Sequence, residues 1–205
     1  MLADMTVSEL LEQTAAGTPV PGGGSLSAMA AAVGAALAQM VAGLTAGRKA
    51  FADVTPEMTE LAEKAQRLRT DLLADMDRDA AAYTAVMDAF RLPRETAEEK
   101  SHRTEAIQRA TREAARVPLA VAEKALDVMM LAGTAVAKGN PNAMSDGAVG
   151  AMLARSALQG ALFNVKINLR DIRDEAFAVR LTAEAEALDA RARALETTIL
   201  SHITL

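Results

Sequence analysis

Residues 18–43 read TPVPGGGSLSAMAAAVGAALAQMVAG, and the reading of this stretch decides the fold. Three glycines follow Pro21, and a long run of small apolar residues follows them. No charged residue occurs between Gln13 and Gly47. A span of this length can cross a bilayer. It is poor, however, in the Leu, Ile and Phe that drive insertion, and it has no aromatic belt or Lys/Arg bias at its N-terminal flank. Gln39 sits in its middle. A helix that is apolar all round can equally lie at the centre of a helical bundle. Ala28, Ala31, Ala35, Ala38 and Ala42 recur three or four apart, a face that lets another backbone come close. The expectation is therefore a central helix over roughly 25–46, without a membrane partner.

The glycines also resemble a phosphate cradle, which a helix start can form. The P-loop pattern fails because no Gly-Lys-Ser/Thr follows, and the dinucleotide fingerprint fails because no strand precedes. From local sequence alone, a turn with a helix cap and a close approach by a ligand or a helix both remain open.

Composition agrees with a helical core. The 205 residues include no Trp, one Tyr and four Phe, so the interior must be built from Ala, Leu, Val and Met, mostly strong helix formers. One domain of all-α architecture over residues 1–205 is expected. The net charge of −5 argues against a nucleic-acid partner. The chain has no Cys, which is compatible with a cytoplasmic home, and the N-terminal MLADMTVSELLEQ has no basic segment of the signal-peptide kind. His102 and His202, the only histidines, show no metal-ligand spacing and are expected on helix surfaces.

Along the chain, Thr6 and Glu9 form a capping-box pattern. Thr55 is expected to cap a helix with Pro56 at its first position, ending near Phe90 before Pro93. Its apolar stripe runs Leu61, Ala65, Leu68, Leu72, Met76, Tyr83, Val86 and Phe90. Asp79 falls on that stripe, Asp75 lies one turn earlier on nearly the same face, and Asp77 points elsewhere. Asp71, Asp75 and Asp79 line up as like charges, unfavourable unless a cation or ligand offsets them. Either they form a solvated flank or one carboxylate is buried with a perturbed pKa. Pro118 is expected to kink or break the next helix. Gly139–Asn142 forms a turn, after which Ser145 or Asp146 can cap a second small-residue helix, the natural packing partner of the first. Asn164 and Asn168 sit one turn apart there, and they either cap backbone or read a polar heterocycle. An amphipathic helix of alternating charge ends the chain.

Five ordered blocks, PGGGS (21–25), GRKAF (47–51), DMDRDAAAY (75–83), GNPNAMSD (139–146) and FNVKINLRDI (163–172), resemble the cyclodeaminase/cyclohydrolase family of folate enzymes, essentially over the whole chain. The resemblance implies an all-helical homodimer with folate near the subunit interface. It implies that the second Asp of the Asp-x-Asp pair, Asp79, is the catalytic acid/base, with Lys49 or Arg48 nearby to hold water or tune it. It implies substrate contacts from Gly22, Gly23, Gly24 and Ser25, from Asp75 and Asp77, from Asn140, Asn142, Ser145 and Asp146, and from Asn164 and Asn168. Ala81 departs from relatives that carry an acid there.

The implied chemistry is attack of water on the methenyl carbon between nitrogens 5 and 10 of tetrahydrofolate. The alternative is attack of nitrogen 10 on a formimino carbon with loss of ammonia. A carboxylate serves either reaction. The amidinium is already electrophilic, so no metal or cofactor is expected, and the tetrahydrofolate derivative is the substrate. The glutamate tail is expected to meet surface cations. The chain stands without a formiminotransferase segment, which favours the cyclohydrolase. A non-catalytic helical interaction module is the reading from another class, and it predicts no folate binding.

Overall fold

The structure, a computed structural model, describes residues 1–203. Six α-helices carry the fold: α1 (Val7–Ala15), α2 (Gly23–Thr45), α3 (Thr55–Arg91), α4 (Ala97–Lys138), α5 (Met144–Leu169) and α6 (Glu175–Ser201). Short 3₁₀ turns at Leu2–Asp4, Lys49–Val54 and Pro141–Ala143 join them, and no strand occurs among the described residues. The all-α expectation holds.

Helices α2 to α5 run alternately up and down. Ser25 on α2 meets Asp79 on α3. Glu57 at the start of α3 pairs with Lys138 at the end of α4. Asn168 near the end of α5 reaches Ala114 in the first half of α4. The bundle closes where α5 returns against α2, and α6 packs outside on α4 and α5.

The small-residue helices are indeed partners, antiparallel and in close contact. A Cβ placed on Gly34 would lie 2.7 Å from the Gly150 carbonyl oxygen, so only glycine lets these backbones approach. Ala28, Ala31, Ala35, Ala38 and Ala42 are all buried, as the spacing predicts. Helix α2 is long and apolar enough to cross a membrane, with mean hydropathy 1.6 over its most apolar window, and half of that window is buried inside the bundle.

Several local expectations need correction. Helix α2 starts at Gly23 with Gly22 as its N-cap, so two of the three glycines are helical. Thr55 is the first residue of α3 and not its cap: the preceding 3₁₀ turn delivers the chain already wound, and the Thr55 hydroxyl bonds back to the Phe51 carbonyl. Neither Ser145 nor Asp146 caps α5, which begins one residue before them at Met144. The α3 stripe is buried at Leu61, Ala65, Leu72 and Met76, but Tyr83 and Phe90 are 38% and 46% exposed, and Phe90 is met by the Arg103 guanidinium of α4 over its ring. The capping box at Thr6 and Glu9 forms as read.

Pro118 does not break α4, which runs unbroken through it for 42 residues. Proline has no N–H, so the carbonyl four residues earlier, Ala114, loses its helical donor. Asn168 Nδ2 replaces it, donating to Ala114 O at 2.8 Å. Its other hydrogen goes to Asn164 O at 2.9 Å. The Asn168 amide thus repairs backbone across two helices, and both of its donors are committed. Asn168→Ala should cost about 1–3 kcal/mol by orphaning that carbonyl. In a Pro118→Ala background, where an N–H is restored, the cost should shrink, a difference readable by urea denaturation of the four proteins of the cycle.

Candidate active site

Three sequence-distant segments converge at the N-terminus of α2. The Asp79 carboxylate from α3 lies over Gly24, where a Cβ would overlap both carboxylate oxygens. The Ser25 hydroxyl lies 2.8 Å from Asp79 Oδ2. Asn164 from α5 stands beside Gly23, its Nδ2 3.5 Å from where a Cβ would sit. That nitrogen donates to Gly160 O of its own helix at 2.9 Å. Gly22, at the N-cap, completes the turn, after a cis Val20–Pro21 peptide.

Burial pushes the Asp79 carboxyl above the ordinary range, and hydrogen bonds from the Ser25 side chain and backbone N–H pull it partly back. The net shift is upward, so desolvation outweighs both bonds. No charged side chain contributes. Asp79 is half-buried and not sealed, as a carboxyl that exchanges protons with a ligand must be.

Its neighbours have other tasks. Asp75 is 2% exposed and held by Arg78 at 2.6 Å and by Lys124 from α4. The line of like charges is therefore resolved by cations at its buried member. Lys124 stands 49 residues away, so no local pattern in the sequence points to it. Asp77 Oδ1 accepts from the Leu2 N–H at 2.8 Å and ties the N-terminal turn to α3. Asp75 is thus fully held by protein groups, whereas Asp77 Oδ2 is buried without a hydrogen-bond partner.

The remaining residues that the resemblance implies gather at the other end of α2. Asn140 N donates to Thr45 Oγ1 at 2.9 Å, and Asn140 Nδ2 donates to Leu44 O. Asn140 Oδ1 accepts from Asn142 N at 3.1 Å, capping the 3₁₀ turn. Ser145 and Asp146 follow in the first turn of α5, while Arg48 and Lys49 are exposed just beyond α2. Twenty residues of α2 separate Ser25 from Thr45, about 30 Å at 1.5 Å per residue. Within one chain, Arg48 and Lys49 do not reach Asp79.

One further feature was not anticipated residue by residue. A cleft of about 630 Å³ is lined by Arg109, Arg112, Arg116 and Arg180, with Glu113, Asp174 and Phe177. The Arg116 and Arg180 guanidinium groups stand 5.2 and 5.5 Å from the Phe177 ring centre, and Arg112, Arg116 and Arg180 each also pair with a carboxylate, Asp174, Glu113 and Glu184. Arg112 and Arg116 flank Ala114, the residue Asn168 holds, so the cleft opens at the Asp79 end of the bundle. Among the described residues, no group of three or more His, Cys, Asp or Glu side chains is placed to hold a metal ion.

The raised carboxyl has a consequence for stability. Its proton is held more tightly in the folded chain than in the unfolded one, so Asp79 costs nothing below its ordinary value of about 4 and destabilises increasingly as pH rises through the raised folded value. Asn at this position does not titrate. Asp79→Asn should gain stability over the parent as pH rises from about 4, then hold a constant advantage. Urea midpoints of the two proteins across pH measure this, and a difference that stays flat contradicts the burial argument.

Comparison with known proteins finds relatives over nearly the whole chain. The family model described as formiminotransferase-cyclodeaminase matches residues 6–187. A methenyltetrahydrofolate cyclohydrolase of Methylorubrum extorquens is 38% identical over 195 residues, covering 95% of this chain and 94% of the relative. The formimidoyltransferase-cyclodeaminase of Rattus norvegicus is 36% identical over 176 residues, of which the match spans 32% of the longer relative. The crystal structure of formiminotetrahydrofolate cyclodeaminase from Thermotoga maritima superposes with a TM-score of 0.89 at 29% identity, covering 98% of this chain and 97% of that one. The chain belongs to the formiminotransferase-cyclodeaminase family.

Proposed function

We propose that the protein is a methenyltetrahydrofolate cyclohydrolase of one-carbon metabolism, working in the cytoplasm, with Asp79 as its acid/base. The observation that carries the reading is a half-buried carboxyl with a raised pKa at the start of α2, with bare glycine backbone beside it. The near full-length match to a relative of that name favours the hydrolase over the deaminase.

The ionised Asp79 attracts the cationic amidinium and accepts a proton from the attacking water as the C–O bond forms. A second proton then passes from the carbinolamine hydroxyl to nitrogen 5 through the same carboxyl as that C–N bond breaks. The products are 10-formyltetrahydrofolate and one released proton. Exposed Gly23 offers the pterin bare backbone, and the free Oδ1 of Asn164 offers it an acceptor. The arginine cleft supplies cations for the glutamate tail. The deaminase remains the second reading, favoured by the solved relative of the same fold.

A homodimer completes this site. Exposed apolar side chains run along α2 (Val33, Met40, Leu44) and α5 (Val149, Met152, Phe163). A two-fold axis laying α2 antiparallel to its copy would bring the partner subunit's Lys49 toward Asp79.

Asp79→Asn should lower kcat for methenyltetrahydrofolate by about 10²–10⁴, the usual worth of a general acid/base. Loss of methenyltetrahydrofolate absorbance reads the hydrolase, and ammonia release from formiminotetrahydrofolate reads the deaminase. A folded Asp79→Asn protein with full turnover in both assays defeats the assignment. For the dimer, mixing inactive Asp79→Asn with inactive Lys49→Ala should restore activity, because one site of each mixed dimer keeps both groups. No restoration, despite subunit exchange, places Lys49 outside the site.

A further inference from the structure

We propose that Ser25 is the positioning residue for Asp79: its single hydroxyl proton has two acceptors in reach, and it turns from one to the other as the carboxyl gains or loses its own proton. The inference rests on Asp79 being the reacting carboxyl.

Ser25 Oγ lies 2.8 Å from Asp79 Oδ2 and 3.1 Å from the carbonyl oxygen of Met76, and Ser25 is fully buried. A hydroxyl has one proton and two lone pairs, so it can donate to only one of these oxygens at a time. When Asp79 is ionised, Ser25 donates to Oδ2, a charge-assisted bond. When Oδ2 carries a proton, that proton is donated to Ser25 Oγ, and the Ser25 proton turns to Met76 O. In both states every polar atom of the relay is satisfied. Without the Met76 carbonyl, protonating Oδ2 would set two protons against each other or leave the buried serine proton unpaired.

The arrangement also separates the two carboxylate oxygens. Oδ2 is tied to Ser25, whereas Oδ1, lying over Gly24, has no side-chain hydrogen-bond partner among the described residues. Ser25 thus fixes which way the carboxylate faces.

No other titratable group rivals this control. On α3, Asp75 is neutralised by Arg78 and Lys124, and Asp77 is turned to the Leu2 N–H. Helix α4 offers Lys124, already committed to Asp75. Helix α2 carries no charge at all, and the charge on α5 next to Asn164, Lys166, is exposed. Burial and the two Ser25 hydrogen bonds account for the carboxyl's behaviour.

The test uses Ser25→Ala and Ser25→Cys, with folding checked by circular dichroism. Two readouts are needed: the pH dependence of kcat/KM for methenyltetrahydrofolate, and the carboxyl carbon NMR titration of Asp79 without folate, its signal identified by its loss in Asp79→Asn. Ser25→Ala removes the bond that favours the ionised form, so both midpoints should rise by about one pH unit, about tenfold in the ionisation constant. Ser25→Cys, with a weak S–H donor, should fall between. If Ser25→Ala is folded and neither midpoint moves, the inference is overturned, and a lower rate at an unchanged midpoint marks Ser25 as merely structural. If the NMR midpoint rises while the kcat/KM profile stays put, Ser25 governs Asp79 as inferred and the acid/base role assigned to Asp79 is what fails.

Discussion

A carboxylate can be seated against the first turn of an α-helix only where that turn gives up its side chains. Gly24 meets this constraint, because any Cβ there would occupy the space of the Asp79 oxygens. Much else depends on the contact. It draws α3 onto α2, buries the carboxyl enough to raise its pKa, and leaves Ser25 as the adjacent polar side chain able to moderate it. Two opposed forces act on the same group: desolvation favours the proton, and the hydrogen bonds at the helix start favour its loss. A carboxyl whose proton is held more tightly than that of a fully solvated aspartate is better suited to give and take it in catalysis.

The same economy of side chains organises the bundle. Gly34 faces the Gly150 carbonyl, so α2 and α5 run in close contact along their length. That intimacy puts Asn164 beside the glycine turn and sends Asn168 across to Ala114. Pro118 would otherwise leave a buried carbonyl unpaired, and the repair links α5 to α4 just where the arginine cleft opens. Site and scaffold therefore share one set of contacts at one end of the bundle.

Much of this was legible in the sequence because it is local. The alanine spacing of α2, the Thr6–Glu9 cap and the position of Asp79 on a buried stripe follow from helical periodicity. What periodicity cannot carry is what one helix meets on another. Asp75 looked as available as Asp79 until Lys124 arrived from α4. Pro118 looked like a break until Asn168 supplied the missing donor. Tyr83 and Phe90 keep the spacing of a core, yet both stay partly exposed, and Phe90 meets the charged Arg103. The ordered blocks suggested a single site, whereas in one chain they form two clusters about 30 Å apart at the ends of α2. Sequence order holds no information on which end of a long helix a second copy would present.

The central claim is that a folate lies with its reacting bridge against Asp79 at the start of α2. A crystal structure with folinic acid, a stable folate analogue, tests this most directly. The N5-formyl group and N10 of folinic acid should lie within hydrogen-bonding reach of the Asp79 carboxylate, with the pterin against the glycine turn. A folinic acid molecule bound elsewhere, with the α2 start left vacant, would contradict it.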